Sequence, residues 1–300
     1  MSLRKYALTL ILVFTTTLAH ADLKVFATVP EWGALAEALG GDKVTVYTAT
    51  TGLQDPHRIQ ARPSLIAKAR SANLLIATGA GLEAGWLPML LRDANNPAIQ
   101  GGQPGYLEAS AYVRMLDVPT TIDRTMGDIH AEGNPHIQTD PRNLLPIARA
   151  LSARMAQLDP DNAGYYRMRG EQFQKDWQAH LARWQKAAAP LRGIKVWVQH
   201  DGYPYMNAWL GLNQVGVLEP RPGIEASSKQ LRDILMRQQS LQGRMVIASA
   251  YTNDAPAQWF SEKAGIPVVI LPFTVGGNAS AKSLPALYDD TVARLLAALH

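Results

Sequence analysis

The sequence predicts an α/β protein of two lobes, each a parallel sheet flanked by helices, joined by one long helix with a cleft between the lobes. Apolar runs of strand length alternate with amphipathic helical stretches twice over, from Leu23 to Arg92 and again from Ile194 to Leu299. That alternation is the pattern of parallel sheet with crossover helices. Between the two blocks, Asp161 to Ala189 has no Gly after Gly170 and no Pro before Pro190, and Phe173, Trp177, Leu181, Trp184 and Ala188 fall on one face. A helix of about 29 residues spans on the order of 40 Å, which suits a rod bridging two lobes better than a helix within one. The chain is also long enough for two cores, being 300 residues and 47% hydrophobic.

Taken in order, residues 1–21 read as a cleavable secretion signal. Arg4 and Lys5 form a basic start, Tyr6 to Leu18 an apolar centre, and Ala19-His20-Ala21 a small-residue cleavage site. The apolar centre is too short for a comfortable membrane span, so an exported, periplasmic protein beginning at Asp22 is expected, with an uncleaved anchor as the alternative. The first lobe is expected over residues 22–160. Leu23 to Val29 is a strand and Glu31 to Leu39 a helix stopped by Gly40-Gly41; Lys43 to Ala49 is the second strand. Pro63-Ser64 opens a helix to about Ser71, Pro being suited to a first helical turn. Asn73 to Thr78 is a third strand and Glu83 to Arg92 a helix, after which the pattern dissolves up to Gly105.

Leu144, Ala148, Leu151, Met155 and Leu158 recur at helical spacing, with Asn143 expected as N-cap so that Pro146 falls in the first turn. The connecting helix is assigned to residues 161–190 and the second lobe to 191–300. There, strands are expected at Ile194–Gln199, Gln214–Leu218, Met245–Ser249 and Ile266–Leu271, with helices at Tyr203–Leu210, Ser227–Leu241, Ala255–Ala264 and Leu284–Leu299.

Composition narrows the chemistry. There is no Cys, so disulfides are excluded even in an oxidising compartment, and a tight metal site must use imidazole and oxygen ligands. The formal charge of +4 becomes +2 once Arg4 and Lys5 leave with the signal, and basic residues are scattered without interleaved aromatics. Nucleic acid is therefore not an expected partner.

The stretch Gly127 to Pro141 packs His130, His136, Asp128, Glu132 and Asp140 among Gly and Pro residues. Open α/β sheets bind ligands at the loops that follow the carboxyl ends of their strands. His57 lies in the loop after the second strand, His136 in the long loop of the first lobe, and His200 directly after the strand ending at Gln199. Converging on one cleft, three such imidazoles would suit a first-row divalent metal. Singly, a loop histidine is more often a surface residue, and no local motif such as HExxH joins any pair. Gly276-Gly277 reads as turn chemistry, since no P-loop pattern surrounds it. His180, on the Trp177/Trp184 face, reads as packing, and Trp197, Tyr203, Tyr205 and Trp209 as core or as a wall of the cleft.

Gln54-Asp55-Pro56-His57 with Pro63-Ser64, Gly133-Asn134-Pro135-His136 with Asp140-Pro141, a strand running into His200, and Val217-Leu218-Glu219-Pro220-Arg221-Pro222-Gly223-Ile224 together resemble the periplasmic zinc/manganese-binding proteins of ABC importers. The likeness covers essentially the whole mature chain, the long connecting helix included. It implies a monomeric capture protein that binds a divalent metal between its lobes and hands it to a membrane permease, with no catalysis. It matches the family's first three ligands to His57, His136 and His200, an all-His set associated with zinc, whereas manganese-type members tend to carry Glu at the third position. The departure is at the fourth ligand, commonly an Asp after the last strand, where this chain has Pro272 to Asn278 without a carboxylate. A water, the Asn278 carbonyl or a carboxylate from elsewhere is the expected substitute. His130 is assigned an accessory role or a solvent-facing one, and Asp128 and Glu132 are candidates to orient imidazoles by accepting their second ring N–H. Two other functions are compatible with the sequence. One is a secreted zinc hydrolase using three His and a water; the other is a carrier of haem, a corrinoid or a siderophore on the same fold.

Overall fold

The computed structural model describes residues 22–120 and 130–300. The expected signal at 1–21 and Asp128 lie outside them. Two four-stranded parallel sheets organise the chain. The first consists of β1 (Leu23–Ala27), β2 (Val44–Thr48), β3 (Leu74–Ala77) and β4 (Tyr106–Glu108), in the order β2-β1-β3-β4. The second consists of β5 (Lys195–Val198), β6 (Asn213–Val217), β7 (Met245–Ser249) and β8 (Val268–Leu271), in the order β6-β5-β7-β8. Both lobes therefore wind alike. Each chain segment begins at an inner strand, steps to one edge and then crosses back, so the loops leaving the first and third strands diverge and open a crevice at the strands' carboxyl ends.

Helices cover both faces. They are α1 (Pro30–Gly40), α2 (Pro63–Arg70), α3 (Leu87–Ala94) and α4 (Leu144–Leu158) in the first lobe, and α6 (Pro204–Leu210), α7 (Ser228–Leu241), α8 (Ala255–Ala264) and α9 (Leu284–Ala297) in the second. Between them α5 (Ala163–Ala187) runs 25 residues, about 37 Å at 1.5 Å per residue. Its apolar stripe is used as expected. Trp177 and Trp184 are fully buried, Trp177 Nε1 donates to the Pro141 carbonyl at 2.7 Å, and Trp184 Nε1 donates to Asp289 Oδ1 at 2.6 Å. His180 stacks on Trp184 at 5.3 Å between ring centroids, a packing role. The largest core runs without a break from Trp32, Leu35 and Ile76 of the first lobe, through these tryptophans, to Tyr203, Leu271 and Leu287 of the second. Smaller clusters, around Phe26 and Trp86 and around Trp197 and Phe260, fill the opposite face of each sheet.

Two local expectations are corrected and a third is qualified. Strand β4 falls where the sequence pattern predicts none, because three residues at a sheet edge are too few to show a period. Helix α3 begins at Leu87 rather than Glu83, because the Glu83 carboxylate is spent on the Thr78 and Gly79 amides and the Thr28 hydroxyl, at 2.8, 3.1 and 2.6 Å. Asn143 does stand at the N-cap position of α4, but its side chain makes no capping bond, its Nδ2 donating instead to the Ile137 carbonyl at 2.8 Å. The capping bond comes one short turn earlier, where Asp140 accepts the Arg142 amide at 2.8 Å.

Candidate metal centre

His57, His136 and His200 meet in the crevice between the lobes. Each offers a ring nitrogen, and the three nitrogens all lie within 4.8 Å of one another. Ring centroids are 5.3 Å apart for His57–His136, 6.1 Å for His57–His200 and 5.3 Å for His136–His200. His136 Nε2 and His200 Nε2 stand 3.3 Å apart. That separation matches the edge, roughly 3.3 Å, of a tetrahedron with zinc–nitrogen bonds of about 2.0 Å.

Local structure aims each ring. Asp55 Oδ1 accepts both the His57 amide at 3.0 Å and the His57 Nδ1–H at 2.9 Å, which leaves Nε2 as the outward lone pair. The preceding Pro56 carbonyl is fixed by Trp86 Nε1 at 2.9 Å. His136 is held by Asn134, whose Oδ1 accepts the His136 amide at 3.1 Å. The same residue ties the lobes together, since its Nδ2 donates to the Asp201 carbonyl at 2.7 Å and its own carbonyl accepts the Tyr205 hydroxyl at 2.8 Å. His200 Nδ1 meets Glu219 Oε2 at 2.8 Å, and that oxygen also accepts the Gly223 amide at 2.9 Å. Carboxylates on the far nitrogen of an imidazole fix its tautomer and raise its basicity toward a metal.

Two buried ring nitrogens, His57 Nε2 and His136 Nδ1, have no hydrogen-bond partner in the structure. Burial of an unpaired polar atom is costly, so His57 Nε2, unpaired beside two other imidazoles, is the expected mark of a cation site, whereas His136 Nδ1 lies on the other side of its ring from the Nε2 that faces His200. Electrostatics agree. Burial, with the neighbouring His57, His200 and His130, holds His136 well below the ordinary histidine pKa, so it is neutral and able to ligate. For His200, burial lowers the pKa, but the hydrogen bond and charge of Glu219, with Asp201 and Asp55, outweigh it and the net direction is upward.

The other sequence candidates fall differently. His130 is half-buried with its ring centroid 5.4 Å from that of His57, so it borders the three-His group. Glu132 is exposed, and the imidazoles are oriented instead by Asp55 and Glu219. The Asn278 side chain is engaged away from the imidazoles, its Oδ1 accepting the Ser280 and Ala281 amides at 2.9 Å each and its Nδ2 donating to Asp290 at 2.7 Å. The place near His136 on the side of the last loop is taken by Phe273, whose ring meets His136 edge-on at 5.2 Å. Gly276-Gly277 makes a turn, and it also lets that loop touch the His57 loop: a Cβ on Gly52 would come within 2.4 Å of the Gly276 and Gly277 backbone. Tyr203 and Tyr205 belong to the main core beneath the crevice, the Tyr205 hydroxyl donating to the Asn134 carbonyl, and Trp197 lies in the smaller core of the second lobe.

Two α/β lobes with three imidazoles converging at the crevice between them make an arrangement suited to a divalent metal ion. A family model described as zinc-uptake complex component A, periplasmic, matches residues 25–298, and the chain belongs to this family, that of the substrate-binding proteins of metal ABC transporters. It is similar to the manganese ABC transporter substrate-binding lipoprotein PsaA of Streptococcus pneumoniae, 21% identical over 273 residues, 87% of this chain and 83% of that protein. It is likewise similar to the iron ABC transporter substrate-binding lipoprotein MtsA of Streptococcus pyogenes serotype M1, 21% identical over 272 residues, 87% and 82% of the two chains. A crystal structure of ZnuA shares the fold with a TM-score of 0.74 at 22% identity, covering 91% of this chain and 99% of that one.

Proposed function

We propose that the protein captures a divalent metal, zinc foremost, through His57, His136 and His200 and delivers it to the permease of an ABC importer, as an exported periplasmic monomer and without catalysis. The observation that carries this reading is the convergence of three imidazole nitrogens within 4.8 Å from loops of both lobes. Three nitrogen donors favour zinc over manganese, which prefers carboxylate and water. The relatives named for manganese and iron make the choice of metal the first thing to measure. Among the described residues no helix is long and apolar enough to cross a membrane.

Two observations favour a carrier of small ions over the alternatives. The cavity bordered by His130, His136 and His200 has a volume of about 210 Å³, below the roughly 300 Å³ at which pockets for organic ligands begin, which favours an ion over haem, a corrinoid or a siderophore. The carboxylates nearest the imidazoles, Asp55 and Glu219, are bound to ring nitrogens, leaving neither placed as the base of a hydrolase.

Calorimetric titration of the mature protein with Zn²⁺, Mn²⁺ and Fe²⁺ tests the proposal. One tight zinc per chain is expected, with affinity reduced more than 100-fold in His57→Ala, His136→Ala and His200→Ala, beyond the loss of about 10- to 100-fold typical when a partner outside the ligand set is removed. Unchanged zinc affinity in the three variants, or zinc-dependent ester or amide hydrolysis, would overturn it.

A further inference from the structure

We propose that His130 supplies the fourth donor to the metal, so that the ion is held by four imidazoles rather than by three and an oxygen from the last loop. The inference rests on the three-His reading above and concerns the open position that reading leaves. Zinc bound by three protein ligands keeps a fourth tetrahedral position, which is filled by solvent or by another side chain.

The last loop does not supply that donor. Phe273 presents a ring edge to His136 there, and the Asn278 amide is consumed within its own loop. The cavity on the other side of the imidazoles offers four side chains with donor atoms besides His136 and His200: His130, Asp117, Asn134 and Asp201. Asp117 is exposed, so solvent competes for its carboxylate. Asp201 Oδ1 accepts Gln214 Nε2 at 2.8 Å and Asn134 Oδ1 accepts the His136 amide at 3.1 Å, and either would supply oxygen rather than nitrogen. His130 stands closest in kind and in place, its ring tilted by 32° against that of His57 at 5.4 Å.

The backbone is shaped for this ring. Gly81 has φ +80, a conformation L side chains rarely adopt, and a Cβ built there would come within 2.9 Å of His130 Nδ1. The positive φ is what favours glycine there, and the close approach places the His130 ring against the β3–α3 connection beside His57. A cavity of about 210 Å³ is lined by His130 together with His136 and His200, so as fourth donor the His130 side chain must turn across it toward the three nitrogens that lie within 4.8 Å of one another. Replacing a carboxylate by an imidazole in the fourth place also gives an all-nitrogen shell, the composition that selects zinc over manganese.

X-ray absorption at the zinc edge counts imidazoles directly. On the mature protein loaded with one equivalent of Zn²⁺, the expected result is four imidazoles, falling to three plus one oxygen in both His130→Ala and His130→Gln, with zinc affinity reduced at least tenfold by chelator competition. Circular dichroism melts confirm that the variants are folded, and the Gln variant preserves volume if the Ala variant is not. Three imidazoles plus an oxygen in the parent protein, with affinity within twofold in the variants, would overturn the assignment of His130 while leaving the three-His site intact. A parent protein that takes up no zinc would overturn both.

Discussion

The bond between His200 and Glu219 allows the support of the site to be measured without touching a proposed ligand. Glu219 Oε2 lies 2.8 Å from His200 Nδ1, and the two side chains are 11% and 9% exposed, so solvent screens the pair little. A hydrogen bond to a charged group contributes about 1.5–3 kcal/mol, and a neutral one about 0.5–1.5 kcal/mol. Glu219→Gln keeps an acceptor oxygen for the ring N–H but removes the charge, so the imidazole loses about 1–2 kcal/mol of support when it donates electron density to a cation. Converted at about 1.4 kcal/mol per tenfold, zinc affinity falls by roughly 5- to 30-fold. Glu219→Ala removes the bond outright and lies at or beyond the upper end of that range. Competition against a chromogenic zinc chelator at fixed pH reads both values. Affinity within twofold of the parent in both variants, while His200→Ala abolishes binding, would refute the claim that the carboxylate tunes the ligand.

Glu31 gives a prediction of pH dependence. It is fully buried and accepts the Thr274 hydroxyl across the two lobes, and burial, opposed by that bond and assisted by the nearby Glu83 charge, raises its pKa from 4.5 to about 7. A carboxyl with a raised folded pKa contributes stability that is complete below pH 4.5 and lost as pH rises through 7; a shift of this size is worth on the order of 3 kcal/mol. Urea unfolding of chelator-treated Glu31→Gln at pH 5 and pH 8 is expected to show that this loss has disappeared, and an unchanged slope would count against it. His136 acts in the opposite sense, since its depressed pKa withdraws stability as pH falls below 6.5. Separately, Gly52→Ala places a methyl 2.4 Å from the Gly276 and Gly277 backbone, which cannot yield as a side chain can. It is expected to cost about 1–3 kcal/mol in denaturant melts and to weaken zinc binding, although no imidazole is altered.

The histidines are legible in the sequence because strand ends are. The strands that precede the His57 and His200 loops have clear apolar runs, so periodicity places those loops at the carboxyl ends of strands, whereas β4, the strand before the His136 loop, is too short to show a period. The carboxylates that support them are harder to read. Asp55 has a local signal, two residues before His57 and able to accept its backbone amide. Glu219 has none. It reaches His200 because β5 and β6 are parallel neighbours, so the residues that follow them emerge side by side, with the Glu219 amide donating to the Gln199 carbonyl at 3.1 Å. Glu132 offers a closer sequence spacing to His136, but its loop turns the side chain to solvent. Sheet order, which periodicity does not encode, decides which acid serves which imidazole.

The division of the ligands between the lobes bears on both capture and release. Two imidazoles come from the first lobe and one from the second. The lobes are joined by Asn134 to Asp201, Arg58 to Gly223 and Tyr288 to Gln138, at 2.7, 3.2 and 2.6 Å, above a core that is continuous through Trp177 and Trp184. Such a frame orders the ligands before the ion arrives, so little binding energy is spent on arranging them. It also makes His200 the ligand most exposed to relative motion of the lobes. A partner that displaced the end of β5 would withdraw His200 while His57 and His136 stayed on their own loops. The Asn134–Asp201 bond, which links the loop of His136 to the loop of His200, would then be the first interlobe contact beside the ion to break.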